Sequence, residues 1–139
     1  MDNKNLQKSI AEISRKAKSL SFKGLYEQAI DEYNKGLMLL DEPKHSSEFA
    51  VMLFAGIGET YYLQHSWNEA LGYFKEAVQS EGGLGDPYIH FRLGQIRFEE
   101  GEIEKAKDEL MRAYMGSGNI IFQGEDHKYF DLIKPYIGK

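Results

Sequence analysis

Small and bulky apolar residues recur along this chain on one ruler. Counting from Ala17, Gly58 and Gly94, an alanine follows twelve residues later each time, at Ala29, Ala70 and Ala106. A further small residue lies seven beyond each, at Gly36, Ala77 and Ala113. Four after each middle alanine stands a bulky apolar residue: Tyr33, Phe74 and Leu110. The ruler fits three times with no gap inside any unit. Two antiparallel helices approach closely only where one offers a small side chain to the other's bulk. The pattern therefore predicts three helix pairs, with Ala17, Gly58 and Gly94 midway along each first helix. The middle alanines then sit early on each second helix, and the bulky residue one turn later on the same face.

This spacing places helices over approximately 4–22 and 25–40, 47–64 and 67–80, and 87–100 and 103–116. Inside each pair the turn chemistry also recurs, as Lys23-Gly24-Leu25-Tyr26, Gln64-His65-Ser66-Trp67 and Glu100-Gly101-Glu102-Ile103. Glycine suits the left-handed residue that ends a helix, and His65 is expected to take that place once. Asp86-Pro87 reads as a helix cap followed by proline in the first turn. A last amphipathic stretch, approximately 126–137, carries Tyr129, Phe130, Leu132 and Ile133 on one side. It is expected to cap the apolar face that a stack of pairs leaves open at its end.

The three units resemble the tetratricopeptide repeat, whose pattern runs Trp-x₂-Leu-Gly-x₂-Tyr, then Ala-x₃-Phe, then Pro. The second unit matches best, with Phe54, Ile57-Gly58, Tyr61, Ala70 and Phe74. The third keeps Leu93-Gly94, Gly101 and Ala106, with His90 for the aromatic and Arg97 for the tyrosine. The first keeps Ala17, Gly24, Tyr26, Ala29 and Tyr33, with Lys16 in the leucine's place. The resemblance covers roughly residues 4 to 116. Successive units are offset by 41 and 36 residues, against about 34 in the family. The extra residues fall in the turn-rich stretches 41–47 and 80–86, where insertion is best tolerated. The resemblance implies a right-handed all-α solenoid in a single domain, 1–139, with repeats at approximately 4–40, 47–80 and 87–116 and the terminal helix as cap.

Composition narrows the function. With 139 residues, 42% hydrophobic and 28% charged, the chain is globular and long enough to bury a core without staples. A net charge of −5 disfavours a nucleic-acid backbone as ligand. The absence of cysteine excludes disulfides, thiolate nucleophiles and cysteine-held zinc. No apolar run has signal-peptide or membrane-spanning character, so a cytoplasmic protein away from membranes is expected. His45, His65, His90 and His127 are scattered, none at the i, i+4 spacing of a helical metal site. No nucleophile elbow occurs. Gly82-Gly83-Leu84-Gly85 lacks the Lys-Ser/Thr of a phosphate cradle, and Asp86 would repel an anion there. The reading is of a protein that is no enzyme and holds no metal or cofactor.

What remains is a surface. In a stack of this kind the first helices line the concave side. Helical spacing puts Arg15, Lys18 and Phe22 of the first helix there, with Met52, Glu59 and Tyr62 of the third and Tyr88, Phe91, Arg92 and Gln95 of the fifth. Aromatics and arginine dominate binding hot spots. Some members of the family clamp the terminal carboxylate of a chaperone with paired lysines and asparagines on these faces. The corresponding faces here carry Ser14, Lys18, Gly56, Tyr88 and Arg92, of which only Arg92 keeps the family's residue, and this disfavours that ligand. A protein or peptide with apolar and some acidic side chains is expected instead, and exposed ends of the stack could support a homodimer. The tail after residue 119 is similar to endings of small bacterial repeat proteins encoded beside toxins. An immunity or chaperone-like protein with one dedicated toxin or secreted substrate is thus the alternative to a general interaction module.

Overall fold

The computed structural model describes residues 2–138; Met1 and Lys139, the outer bounds of the expected domain, lie outside them. Seven α-helices follow one another: α1 Asn3–Phe22, α2 Tyr26–Met38, α3 Ala50–Leu63, α4 Trp67–Gln79, α5 Pro87–Glu99, α6 Ile103–Ser117 and α7 His127–Ile133. Short 3-10 turns span Lys44–Ser46, Gly118–Phe122 and Lys134–Tyr136. Two compact units result, one ending at Leu84 and the other beginning at Gly85.

The ruler describes how each pair packs. α1 lies on α2, α3 on α4 and α5 on α6, and every alanine of the ruler is fully buried. Glycine at the first position is demanded by its neighbour. A methyl group on Gly58 would stand 3.0 Å from the Phe74 ring, and one on Gly94 2.6 Å from Leu110. The bulky residues of the second helices thus press on the backbone of the first.

The three intra-pair turns share one hydrogen-bond scheme. Leu25, Ser66 and Glu102 donate their backbone N–H to Leu20, Tyr61 and Arg97, five residues back. Gly24, His65 and Gly101 donate to Ser21, Tyr62 and Phe98. These are the paired bonds of a Schellman motif, which needs a left-handed residue before the last donor. Gly24, His65 and Gly101 supply it at φ 78°, 58° and 80°. Asp2, Asp86 and Asp126 cap α1, α5 and α7 through their side chains, with Pro87 in the first turn of α5.

Two ends differ from expectation. The third helix begins at Ala50, not 47, because Ser47 is extended and its hydroxyl accepts from the Phe49 N–H at 3.1 Å. The α-helix of the terminal segment stops at Ile133, and Pro135, which has no N–H to continue the ladder, sits in the 3-10 turn that follows.

In the first unit Tyr33 reaches from α2 onto α3, where its ring fills the space a side chain at Gly56 would need. Burial pushes its phenol up to about 12, and the charge of Glu59 adds to the shift. Lys16, which stands where the family has leucine, pairs with Glu32 at 3.3 Å, and Lys35 joins at 2.7 Å. The Lys35 hydrogen bond, with help from Lys16, holds the Glu32 carboxyl below its ordinary range. The longer insertion folds back on its own unit. His45 bonds Glu76 at 2.6 Å and stacks on Phe54, while its carbonyl accepts from the Glu81 N–H.

In the second unit the tail forms part of the core. Phe122, Tyr129 and Ile133 gather with Phe91, Leu110 and Ala113 of the α5–α6 pair. This is the apolar cover that a terminal pair requires.

Candidate functional site

The residues expected on one binding surface fall into different surroundings. Arg15, Lys18 and Met52 line a single cleft of about 530 Å³ between α1 and the start of α3. Its α1 side is made by Ile10 and Ala11 with the polar Gln7 and Ser14, and none of these is aromatic; Phe49 and Met52 line the α3 side. Arg15 and Lys18 are exposed, and neither has an ion pair or hydrogen bond among the described residues. Glu48 also lines the cleft but pairs with neither cation. The cleft thus offers an apolar floor with two uncommitted cations above it.

Phe22 ends the same face of α1 and is 88% exposed. Glu59 and Tyr62 lie further along α3 and are half-buried. Glu59 lends its charge to the Tyr33 environment. Tyr62 meets the edge of Trp67, whose ring stacks on His65 at 5.0 Å. These rings brace the turn between α3 and α4.

On α5 the expected open face is closed. Phe91 is 2% exposed and Gln95 fully buried, which corrects their placement on an accessible surface. The tail explains it. Phe122 packs edge-on to Phe91 at 5.0 Å, and Tyr129 meets both Phe91 and Phe98. Glu125 reaches the polar residues between these rings: the Gln95 amide donates to its carboxylate at 2.8 Å, and Arg92 lies 3.7 Å away. Arg92 donates to the Gln95 side-chain oxygen at 2.6 Å and to the Tyr88 hydroxyl at 3.2 Å. At the far end Lys128 pairs with Glu99 at 2.8 Å. Tyr88 keeps 38% of its surface exposed.

Sequence spacing alone identified the side of α5 but not what covers it. Glu125 and Phe122 were missed as partners of that side. Their signal was polar Gln95 lying between Phe91 and Phe98, a residue that burial obliges to find a partner. Ala11 was missed because an absence of bulk leaves no periodic mark, and Glu48 and Phe49 because they precede α3 and lie off its helical face.

Among the described residues no group of three or more His, Asp or Glu side chains is gathered as metal ligands. No helix among them is long and apolar enough to cross a membrane.

No family model matches the chain, and no curated protein matches its sequence. Among solved structures it is similar to the Yersinia enterocolitica type III secretion chaperone SycD, determined in complex with a peptide of the translocator YopD. The TM-score is 0.72 at 15% identity, and the match covers 92% of either chain. At that identity the likeness is one of fold, an all-α solenoid of helix pairs.

Proposed function

We propose that this chain is a non-enzymatic interaction module of the tetratricopeptide type that holds a peptide or an extended protein segment against its first helices. The observation that carries this reading is the α1–α3 cleft, where Arg15 and Lys18, without an ion pair or hydrogen bond among the described residues, stand beside the apolar Ile10, Ala11, Phe49 and Met52. Exposed cations beside apolar surface make a poor resting state but a serviceable docking site, since a ligand can bury the floor and neutralise the charge together. In this reading Phe22, Glu59 and Tyr62 supply secondary contacts within the same unit, while Tyr88 and Arg92, with Phe91 and Gln95 beneath them, form a separate candidate surface on α5.

The direct test is selection of displayed peptides on the immobilised full chain, with counter-selection on the Arg15→Ala/Lys18→Ala double variant. Peptides that bind the native chain at least tenfold more tightly than the double variant are expected. Recovery of none, or of peptides that bind both chains equally, would sink the proposal.

A chaperone-like protein dedicated to one exported or toxic partner is the second reading. Its support is the fold shared with a secretion chaperone determined with a peptide of a translocator. It predicts a stoichiometric complex with one protein from the native cell, where a general adaptor would return many weak ones. The reading also includes self-association through an end of the stack. A single monomeric species at every concentration in sedimentation would remove that part.

A further inference from the structure

Arg15 and Arg92 occupy the same place on the ruler, two residues before Ala17 and Gly94 respectively. By the same register Ala11 corresponds to Tyr88, Ser14 to Phe91 and Lys18 to Gln95. The α1 and α5 faces are therefore two versions of one surface. On α5 that surface is complete: aromatic side chains fill it, Phe122 covers Phe91, and the Glu125 carboxylate takes the Gln95 amide and faces Arg92. On α1 small residues stand where the aromatics would be, a cleft opens, and among the described residues no carboxylate pairs with Arg15 or Lys18.

Resting on the peptide-holding reading, we infer that the α1–α3 cleft takes a segment carrying a large aromatic or aliphatic side chain with an acidic residue about one turn beyond it. The apolar side chain would supply the bulk that Ala11 and Ser14 lack and lie against Phe49 and Met52. The carboxylate would face Arg15 and Lys18 as Glu125 faces Arg92. The chain's own Phe122-Gln123-Gly124-Glu125 is an example of such a segment, seated on the related surface. Charge complementarity sets the sign of the partner: a cleft with two unpaired cations and one carboxylate favours an anionic guest.

The probe is a fluorescent peptide of this chain's residues 118–127, titrated into the full-length protein by anisotropy. Saturable binding is expected, weakened at least tenfold when the peptide carries Phe122→Ala or Glu125→Gln. Ala11→Tyr in the protein places at the cleft the residue type that α5 has there and should abolish binding; Ala11 is exposed, so the fold is spared, as circular dichroism would confirm. A protein carrying Arg15→Glu and Lys18→Glu should lose the native peptide and recover binding to a Glu125→Lys peptide. Binding that persists in Ala11→Tyr would move the site elsewhere, and indifference to either peptide substitution would overturn the pattern. If displayed peptides depend on Arg15 and Lys18 but carry no acidic residue near an apolar one, the inference falls while the interaction reading stands.

Discussion

On α5, the arginine two residues before the ruler's glycine is held by Gln95 and Tyr88, with Glu125 of the tail beside it. On α1, the arginine two residues before the ruler's alanine lines an open cleft and has no partner among the described residues. The two helices obey the same packing rule toward their second helices, yet present opposite outer faces. The difference lies in two residue pairs: Tyr88 and Phe91 on α5 against Ala11 and Ser14 on α1. Bulk invites a cover, because exposed aromatic area costs free energy that a folded tail can recover. Small residues need none. One face has thereby become core, and the other lines an open cleft.

Phe91→Ala should break this comparison most severely. Phe91 touches Phe122 and Tyr129, so its loss leaves a cavity beneath the tail. A cost of about 3–5 kcal/mol is expected for an aromatic core residue, read as a lower midpoint in denaturant. Ser14→Ala at the matching place on α1 should cost far less, since no aromatic contact is lost there. Equal effects would mean that the two faces are not as different as their packing indicates.

Glu125→Ala separates charge from bulk on the closed face. The Gln95 amide, fully buried, would lose the acceptor it has at 2.8 Å, and Arg92 would lose that carboxylate. Leaving a buried polar group unsatisfied costs about 1–3 kcal/mol. Faster amide exchange in residues 118–133 than in α1 and α2 would show that the weakening is confined to the cover. A change in stability below 0.5 kcal/mol would show that the aromatic contacts alone hold the tail.

How far these faces were readable in the sequence follows from the same contrast. Spacing between small and bulky residues predicted the helix pairs, because close approach at Gly58 and Gly94 leaves a periodic mark. His65 was recognisable as a left-handed helix end from its alignment with two glycines. The closure of α5 was not readable from its own periodicity, which distinguishes sides of a helix but not their neighbours. Phe91 and Gln95 were assigned to the open surface for that reason. The partner of that side lies thirty residues away, in the 3-10 turn at Gly118–Phe122 and the loop after it, which carry no repeat signal. Arg15 and Lys18 were identified and do share a cleft with Met52. The small residues Ala11 and Ser14 that line it stand out against Tyr88 and Phe91 only when the two helices are laid on one register.

Alkaline pH sharpens the contrast inside the ruler. Tyr33 holds the ruler position that Phe74 holds in the second repeat and Leu110 in the third, so the first repeat carries an ionisable group where the other two have hydrocarbon. Its folded-state value, pushed up to about 12, lies above the ordinary value of 10.0. The stability it contributes is therefore fully present below pH 10 and is lost as pH rises toward and through about 12. Tyr33→Phe keeps the ring against Gly56 and removes the titration. Unfolding midpoints of this variant should fall less steeply over that window than those of the native chain. Parallel pH profiles would mean that Tyr33 does not sense the folded environment.

The smallest expected effect is the most informative about function. Arg15→Ala with Lys18→Ala removes two exposed side chains that pair with none of the described residues, so folding stability should change by no more than about 0.5 kcal/mol. Relief of repulsion between the two cations could even raise it slightly, and that gain should shrink as salt screens exposed charges. Arg92 is different, since it is hydrogen-bonded to Gln95 and Tyr88, and Arg92→Ala should lower the denaturation midpoint. An arginine that holds the fold and one that does not are thus separable by one measurement on each. If the Arg15/Lys18 variant proved as destabilised as Arg92→Ala, the α1 cations would be holding the fold together, and the cleft would lose its claim to a ligand.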